Sequence, residues 1–198
     1  MPALLHRNQK AGVNAMRGLL CVCALLALCC GCATTVVREN PDNAAVAEAL
    51  LAGVKGVMVQ SVSGAWKDEA FAAECVLKGN GEKFTAVLLA PQMRLATLTI
   101  EKPRTIRWEY APQLPASLDP EYVVMDLALV SLPTATLAKA LGDGFQVEET
   151  ADGNRRTVFD VRRNELQSVR QKLPNGDVYF RNAVYGYEFT VNTVSHEN

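Results

Sequence analysis

Histidine is almost absent from this sequence, and its absence excludes most familiar catalytic and metal-binding patterns. The chain holds two histidines, His6 near the start and His196 in what we expect to be a frayed tail. A serine or cysteine nucleophile needs a base within hydrogen-bond reach, and zinc sites combine cysteine and histidine at characteristic spacings. Neither arrangement can be assembled from these residues. We therefore predict no enzyme, no metal site and no cofactor.

Cysteines and long apolar runs are also scarce beyond the N-terminus. Of the six cysteines, only Cys75 lies after residue 32. An internal disulfide is therefore not expected. Cys75 falls on the apolar side of a predicted strand, and we interpret it as a buried, inert thiol rather than a nucleophile. No stretch after residue 32 approaches the ~20 apolar residues of a membrane-spanning helix.

The N-terminus, by contrast, carries a secretory signal. Arg7, Lys10 and Arg17 precede an apolar block over residues 18–31 that contains no charged residue. The block is shorter than the ~20 residues that span a bilayer, and a basic start followed by a short apolar region is typical of a signal peptide.

The end of this block resembles the bacterial lipobox, in which a cysteine that follows a small residue is acylated after cleavage. Here the motif reads Leu28-Cys29-Cys30-Gly31-Cys32. The resemblance implies a lipoprotein signal peptide over residues 1–31, a palmitate-bearing lipid anchor at Cys32, and a lipidated tether over residues 32–40. Ala33 stands where an Asp would imply retention in the inner membrane, so an outer-membrane protein facing the periplasm is predicted. A plain cleaved signal or an uncleaved anchor is the alternative.

The processed chain is large enough for one domain and mildly acidic. Removal of residues 1–31 leaves 167 residues, with 17 Lys and Arg against 21 Asp and Glu. That length supports a substantial core. The acidic balance argues against a nucleic-acid partner, which would call for a basic patch.

The first half of this domain reads as a helix followed by strands. Asn40 and Pro41 form a typical helix start, and apolar spacing predicts an amphipathic helix over residues 41–54. Alternation with period two then indicates an antiparallel meander with one apolar face. Its strands are predicted at residues 57–64, 71–78, 84–88, 93–101 and 106–110, with a hairpin turn at Gly79-Asn80-Gly81.

A proline-led insert divides this meander from a second set of strands. Asp119-Pro120 predicts the cap and first turn of a helix that runs to Leu132, although Val123-Val124 could also be strand by composition, and residues 133–141 predict a second helix. No linker divides the chain, so we predict a single α+β domain over residues 41–198. The later strands are predicted at residues 145–149, 156–161, 166–173, 178–182 and 185–192.

This order of elements resembles the LolA/LolB superfamily of periplasmic lipoprotein carriers and receptors. The resemblance rests on the stretch from Leu132-Pro133 to Gly142, on Lys172-Leu173-Pro174, and on Tyr187-Glu188-Phe189-Thr190-Val191. It implies a strongly curved antiparallel sheet, an unclosed half-barrel, wrapped around a few helices and enclosing an apolar cavity for acyl chains.

From about residue 57 onward the chain is also similar to an uncharacterised family of bacterial outer-membrane lipoproteins, known only as a domain of unknown function. That family is often encoded beside genes of fatty-acid-type and aryl-polyene biosynthesis. The shared motifs are Leu114-Pro115, Asp126-Leu127-Ala128-Leu129, Pro133 with Leu137 and Leu141, and Asn182-Ala183-Val184-Tyr185-Gly186-Tyr187.

The candidate site is the apolar face of the sheet, which either lines a ligand cavity or forms a filled core. Amphipathic rings suit a cavity wall because they face lipid while their polar tips find partners, which favours Trp108, Tyr185 and Tyr187. The full candidate set comprises Phe84, Leu98, Ile100, Trp108, Tyr110, Phe159, Tyr185, Tyr187 and Phe189.

Few charged residues stand out against this apolar pattern. Asp126 has apolar neighbours, so it either hydrogen-bonds within the helical insert or contacts a ligand head group. Arg155-Arg156 and Arg162-Arg163 could attract anionic head groups, but wet turns near hairpins commonly carry such charge.

Taken together, these features predict a lipid-anchored receptor or presenter that binds an acyl chain, a lipid or a lipoprotein acyl group. The alternative is a structural or assembly partner of another envelope protein, with a filled core. An enzyme ranks third.

Overall fold

The computed structural model describes residues 33–39, 42–66, 69–91, 93–112, 114 and 119–197. The chain divides into two units, residues 1–33 and residues 34–198, and the second holds the elements discussed below. The predicted signal peptide, the lipidation site at Cys32 and the helix start at Asn40-Pro41 lie outside the described residues.

The described part of residues 34–198 contains eleven strands that form one antiparallel sheet. Their order across the sheet is β1-β6-β5-β4-β3-β2-β11-β10-β9-β8-β7, so β1 and β7 are its two edges and the sheet is not closed. This confirms the predicted α+β class with an unclosed antiparallel sheet. The strands are β1 (Thr34–Glu39), β2 (Lys55–Trp66), β3 (Glu69–Asn80), β4 (Lys83–Ala90), β5 (Met93–Glu101), β6 (Thr105–Tyr110), β7 (Phe145–Glu149), β8 (Arg155–Asp160), β9 (Glu165–Lys172), β10 (Val178–Asn182) and β11 (Tyr187–Glu197).

Three α-helices among the described residues lie against this sheet, and a short 3₁₀ helix (Gly142–Gly144) follows the last of them. The α-helices are α1 (Ala44–Gly53), α2 (Pro120–Ser131) and α3 (Thr134–Leu141). Helix α1 contacts both other helices and strands β3, β4 and β5, whereas α3 packs on β7. Leu50, Val124 and Leu137 are almost fully buried in these contacts, so the helices cover the apolar face of the sheet.

Helix α2 requires the sheet to curve strongly. It contacts both β6 and β10, which are separated by six steps in the strand order. At ~4.8 Å per step a flat sheet would place them ~29 Å apart. A helix of 12 residues is only ~18 Å long. The sheet therefore wraps around α2.

The strand β1 corrects the predicted tether. Thr34–Glu39 pairs along its whole length with β6, from Thr34 opposite Tyr110 to Glu39 opposite Thr105, and the half-buried Val36 packs against the core. Two adjacent valines give too short an alternation to indicate a strand. The folded domain accordingly begins at Thr34 and not at residue 41.

The N-terminus of α2 has the predicted side-chain cap, whereas the N-terminus of α1 does not. Asp119 accepts a hydrogen bond from the Glu121 main-chain nitrogen at 3.0 Å, which confirms the predicted cap of α2. Helix α1 instead begins after Asn43, which makes no side-chain cap. The Asn43 amide donates to the carbonyl oxygen of Glu121 at 2.7 Å, so it links α1 to α2.

The two halves of the sheet meet where β2 pairs with β11. Gly64 lies opposite Phe189 in that pair, and a Cβ atom at Gly64 would come within 2.2 Å of the Glu188 carbonyl oxygen. Only glycine permits so close an approach. The hydrophobic core cluster extends from Val46 to Val191, within residues 34–198, so this unit has the core of an independently folding domain.

Candidate functional site

An apolar cavity of about 470 Å³ lies between the curved sheet and α2. Its wall includes Val62 on β2, Ala86 on β4 and Ala96 on β5. Strand side chains alternate between faces, and the register places Ala86 beside Leu98. The volume falls within the ~300–1,000 Å³ of typical ligand pockets.

Helix α2 supplies the opposite wall of this cavity. Val123, Leu127 and Val130 line it, and their spacing of four and three residues places them on one helical face. The sequence predicts this helix but not which of its faces lines a cavity. The same spacing could have indicated an apolar stripe facing a ligand, but only the position of α2 inside the sheet shows which stripe faces the cavity.

Polar groups are few among the described residues of the cavity wall, and none of these residues is basic. Gln60 and Asp126 line the cavity and are buried. The indole nitrogen of Trp108 is also buried and has no hydrogen-bond partner. In contrast to these buried groups, Phe71 lines the cavity and is 37% exposed. The cavity thus opens to solvent near Phe71, at the start of β3.

Four of the nine predicted lining residues are brought together at this cavity: Leu98, Trp108, Tyr187 and Phe189. They come from the neighbouring strands β5 and β6 and from β11, which lies more than seventy residues further along the chain. Tyr187 and Phe189 face the same side with ring centroids 6.2 Å apart. Whether these residues bind a ligand stays a prediction.

The other five predicted lining residues lie elsewhere. Phe84 and Ile100 are fully buried in the core, as the filled-core alternative describes. The Tyr110 ring stacks on Trp108 with centroids 6.1 Å apart, and Phe159 is half-buried on β8. Tyr185 lines a separate small pocket of about 80 Å³.

Tyr185 lies in a turn and not in the strand that was predicted for it. The last strand was predicted to begin at this residue, but β11 begins at Tyr187, and Gly186 has a φ of 67°. That left-handed conformation ends the alternation because it belongs to a turn. The Tyr185 ring packs on Tyr122 of α2, with centroids 4.4 Å apart.

The buried carboxyl of Asp126 hydrogen-bonds to the sheet and not within its own helical insert, which corrects the first of the two roles predicted for it. Its Oδ1 accepts from Asn182 Nδ2 at 3.1 Å, and its Oδ2 accepts from the Tyr187 hydroxyl. The Asn182 amide is oriented in turn, because its Oδ1 accepts from the main-chain nitrogens of Val184 and Tyr185, each at 3.0 Å. Burial raises the pKa of Asp126 well above its usual value, and the Asn182 hydrogen bond opposes part of that rise.

Arg156 is buried, which corrects its predicted place in a wet turn. It is 5% exposed, and its Nη1 donates to the carbonyl oxygens of Leu129 and Leu132 at 2.9 and 2.7 Å. Its Nη2 donates to Glu149 Oε1 at 3.1 Å. The sequence gives no sign of these bonds, because they join β8 to the end of α2.

The remaining chemical candidates are limited in the described part of the chain. Burial raises the pKa of Cys75 to about 12, so its thiol stays protonated and unreactive. His196 pairs with Met58 in the sheet, which corrects its predicted place in a frayed tail. Among the described residues no group of His, Cys, Asp or Glu could hold a metal ion, and no helix is long and apolar enough to cross a membrane.

Fold and cavity together define an α+β domain in which an open, curved antiparallel sheet encloses an apolar space beside a helix. The family model described as protein of unknown function (DUF3261) matches residues 57–195. The chain belongs to that family, which confirms the predicted membership of a family of unknown function.

Other comparisons add little beyond this family. No curated protein matches the chain. Among solved structures, a DUF1329 family protein from Desulfovibrio piger ATCC 29098, determined at 1.75 Å resolution, is similar with 8% identity and a TM-score of 0.39. The match covers 79% of this chain and 92% of that chain.

Proposed function

We propose that the protein binds a hydrophobic ligand in this cavity, namely an acyl chain, a lipid or a lipoprotein acyl group. The observation that carries the proposal is the cavity of about 470 Å³, walled by apolar side chains and open near Phe71. Binding would be non-covalent and driven by burial of the ligand. Each methylene moved from water into such a space contributes ~0.8 kcal/mol to the binding free energy. The resemblance to LolA and LolB, whose open sheets hold acyl chains, supports the same ligand class.

We further propose that the domain acts as a receptor or presenter, anchored through Cys32 at the periplasmic face of the outer membrane. The folded sheet begins at Thr34, two residues after Cys32. Two extended residues span ~7 Å at most. An acylated Cys32 would therefore hold the cavity beside the bilayer, where it could receive a ligand but could not carry it across the periplasm.

Uptake of a fluorescent fatty acid by a form comprising residues 33–198 tests the ligand. We expect saturable binding, and native mass spectrometry should show a bound lipid in the purified protein. Ala86→Phe projects a ring into the cavity from β4. Because loss of two buried methylenes already costs about tenfold in affinity, this substitution should weaken uptake by at least about tenfold.

Ala72→Phe is the matched control, because Ala72 is exposed on the outer face of β3. It should leave uptake unchanged. A delipidated protein that takes up no fatty acid would contradict the proposal, as would equal binding by both variants.

A second candidate is a non-enzymatic structural or assembly partner of another envelope protein. Strand β7 pairs only with β8 within the described sheet, and an unpaired strand edge is a template for a strand of another chain. Failure of ligand uptake combined with capture of an envelope protein at this edge would favour this candidate.

A further inference from the structure

Gln60 on β2 is a polar side chain in the apolar wall of the cavity. It lines the cavity and is 7% exposed. The register of the sheet places Gln60 opposite Cys75, and Cys75 opposite Leu88, and both of these residues also line the cavity. Residues directly opposite each other on antiparallel strands share a face of the sheet. The Gln60 side chain therefore points into the cavity.

Most of the hydrogen-bonding capacity of this amide is unused within the described part of the chain. A carboxamide offers two N–H donors and an acceptor oxygen. The side-chain partner that Gln60 has among the described residues is the Met58 sulfur, which accepts from Nε2 at 3.2 Å, and a thioether is a weak acceptor. Buried polar groups are normally hydrogen-bonded. The second N–H and the acceptor oxygen Oε1 are therefore available to a ligand.

The other polar groups on the described cavity wall are engaged or enclosed. Both carboxyl oxygens of Asp126 accept hydrogen bonds, from Asn182 and from the Tyr187 hydroxyl. The indole nitrogen of Trp108 has no hydrogen-bond partner, but it is fully enclosed by its neighbours. Gln60 is thus the described wall residue best placed to hydrogen-bond a molecule inside the cavity.

The group that suits Gln60 is neutral. The described wall contains no Lys, Arg or His, and an unpaired charge moved from water into an apolar space costs far more free energy than a hydroxyl or carbonyl group does. A hydroxyl matches the amide best, because its oxygen accepts from Nε2 while its hydrogen is donated to Oε1. A carbonyl oxygen makes only the first of these two bonds.

Gln60 also lies deep in the cavity. Phe71 marks the opening to solvent and is paired with Gly64 of β2. Gln60 is four residues before Gly64 on the same strand, and four residues of a strand span ~13 Å. A charged head group can therefore stay in solvent at the opening while the chain that it carries reaches Gln60.

We propose that Gln60 binds a neutral oxygen group, a hydroxyl or a carbonyl, on a hydrocarbon chain that occupies the cavity. This inference rests on the proposed function and narrows its ligand to a chain that carries such a group ~13 Å from the opening. Nε2 donates to the ligand oxygen, and a ligand hydroxyl donates in turn to Oε1. Gln60 is thereby the residue that selects oxygen-bearing chains over plain hydrocarbon chains.

The test measures how well decanol, methyl octyl ketone and decane, which have chains of equal length, displace fluorescent cis-parinaric acid from residues 33–198. Each affinity is corrected for the affinity of the probe itself. Gln60→Met keeps the length of the side chain but removes its amide. It should weaken binding of decanol and of the ketone by about tenfold, because one hydrogen bond to a buried group has this magnitude. Binding of decane should not change.

The stability of the ligand-free variant separates ligand binding from a structural role. The free energy of unfolding of Gln60→Met in urea should be no lower than that of the wild type, because an apolar group replaces an amide whose hydrogen bonds are mostly unmade. A structural role for the bond from Gln60 to Met58 would instead lower the free energy of unfolding together with all three affinities, and that result would overturn the inference.

Gln171→Met is the matched control, because Gln171 is exposed on β9, and it should leave all three affinities unchanged. If Gln60→Met changes the three affinities equally, or changes none, the inference is overturned while the proposed function stands. If this variant does not fold, the infrared carbonyl stretch of the ketone bound to the wild type decides. A hydrogen-bonded carbonyl absorbs at lower frequency than the same ketone in hexane, and an unshifted stretch overturns the inference. Failure of the probe and of all three competitors to bind overturns the inference and the proposed function together.

Discussion

The guanidinium of Arg156 on β8 donates a hydrogen bond to the carbonyl oxygen of Leu129 on α2 at 2.9 Å. Within a helix that carbonyl would accept from the nitrogen four residues later, but this residue is Pro133, which has no N–H. The proline that ends α2 thus leaves an acceptor unpaired, and a strand from the far half of the sheet satisfies it. The bond fixes the end of the helix that walls the cavity.

Replacement of Arg156 by Met should therefore destabilise the domain. The change leaves two carbonyl oxygens and part of Glu149 without partners, and loss of one member of such a buried network costs ~3 kcal/mol or more. The measurement is the free energy of unfolding in urea. Arg155→Met is the control, because Arg155 is the exposed neighbour and should cost less than ~0.5 kcal/mol. Similar losses for both variants would contradict the interpretation.

Local periodicity predicted most elements of this fold. The predicted bounds of β5, β7 and β10 agree with the observed Met93–Glu101, Phe145–Glu149 and Val178–Asn182. Strand alternation and turn residues act over a few positions, so the sequence displays them directly. The pairing of β2 with β11 brings together residues more than a hundred positions apart, and no local pattern indicates it.

The candidate site was less predictable for a related reason. Alternation identified the apolar face but could not separate Leu98, on the cavity wall, from Ile100, in the filled core. That distinction depends on where α2 lies across the sheet. The partners of Asp126 and Arg156 are likewise set by tertiary packing, so the neighbours of these residues in the sequence did not indicate them.

Asp126 should make the stability of the domain fall as the pH rises. Burial raises its pKa in the folded state, so the folded protein binds a proton that the unfolded protein releases at about pH 3.9. The stabilising effect of that proton is complete below this pH and is lost progressively as the pH rises toward the folded-state pKa. The free energy of unfolding of the wild type, compared with that of Asp126→Asn, should therefore fall by up to ~1.4 kcal/mol for each unit by which the pH rises.

Urea titrations of both proteins at pH values from about 4 upward provide the measurement, because Asn keeps the shape of the side chain but does not titrate. A difference that is constant across the range, or that grows in favour of the wild type with rising pH, would contradict a buried, protonated Asp126.

Cys75 should resist thiol reagents until the domain unfolds. It lies on the cavity wall with its pKa raised to about 12, so near pH 8 only about one thiol in ten thousand is ionised. In a form comprising residues 33–198 it is the sole cysteine, which makes the signal unambiguous. Ellman's reagent should react at least about a hundredfold more slowly in native buffer than in urea. Equal rates would show that the cavity wall admits the reagent freely.

The anchor can be tested in cells by Cys32→Ala in the full-length protein. We expect loss of labelling by radioactive palmitate and release of the domain from the membrane fraction, because several acyl chains contribute ~0.8 kcal/mol per buried methylene to membrane binding. Cys30→Ala is the matched control: it removes a cysteine of the same motif that follows Cys29 rather than a small residue, and it should leave labelling intact. Labelling that survives Cys32→Ala but disappears with Cys30→Ala would move the lipidation site. The folded sheet would then be separated from the bilayer by two further residues, and the anchor would hold the cavity less closely to the membrane surface.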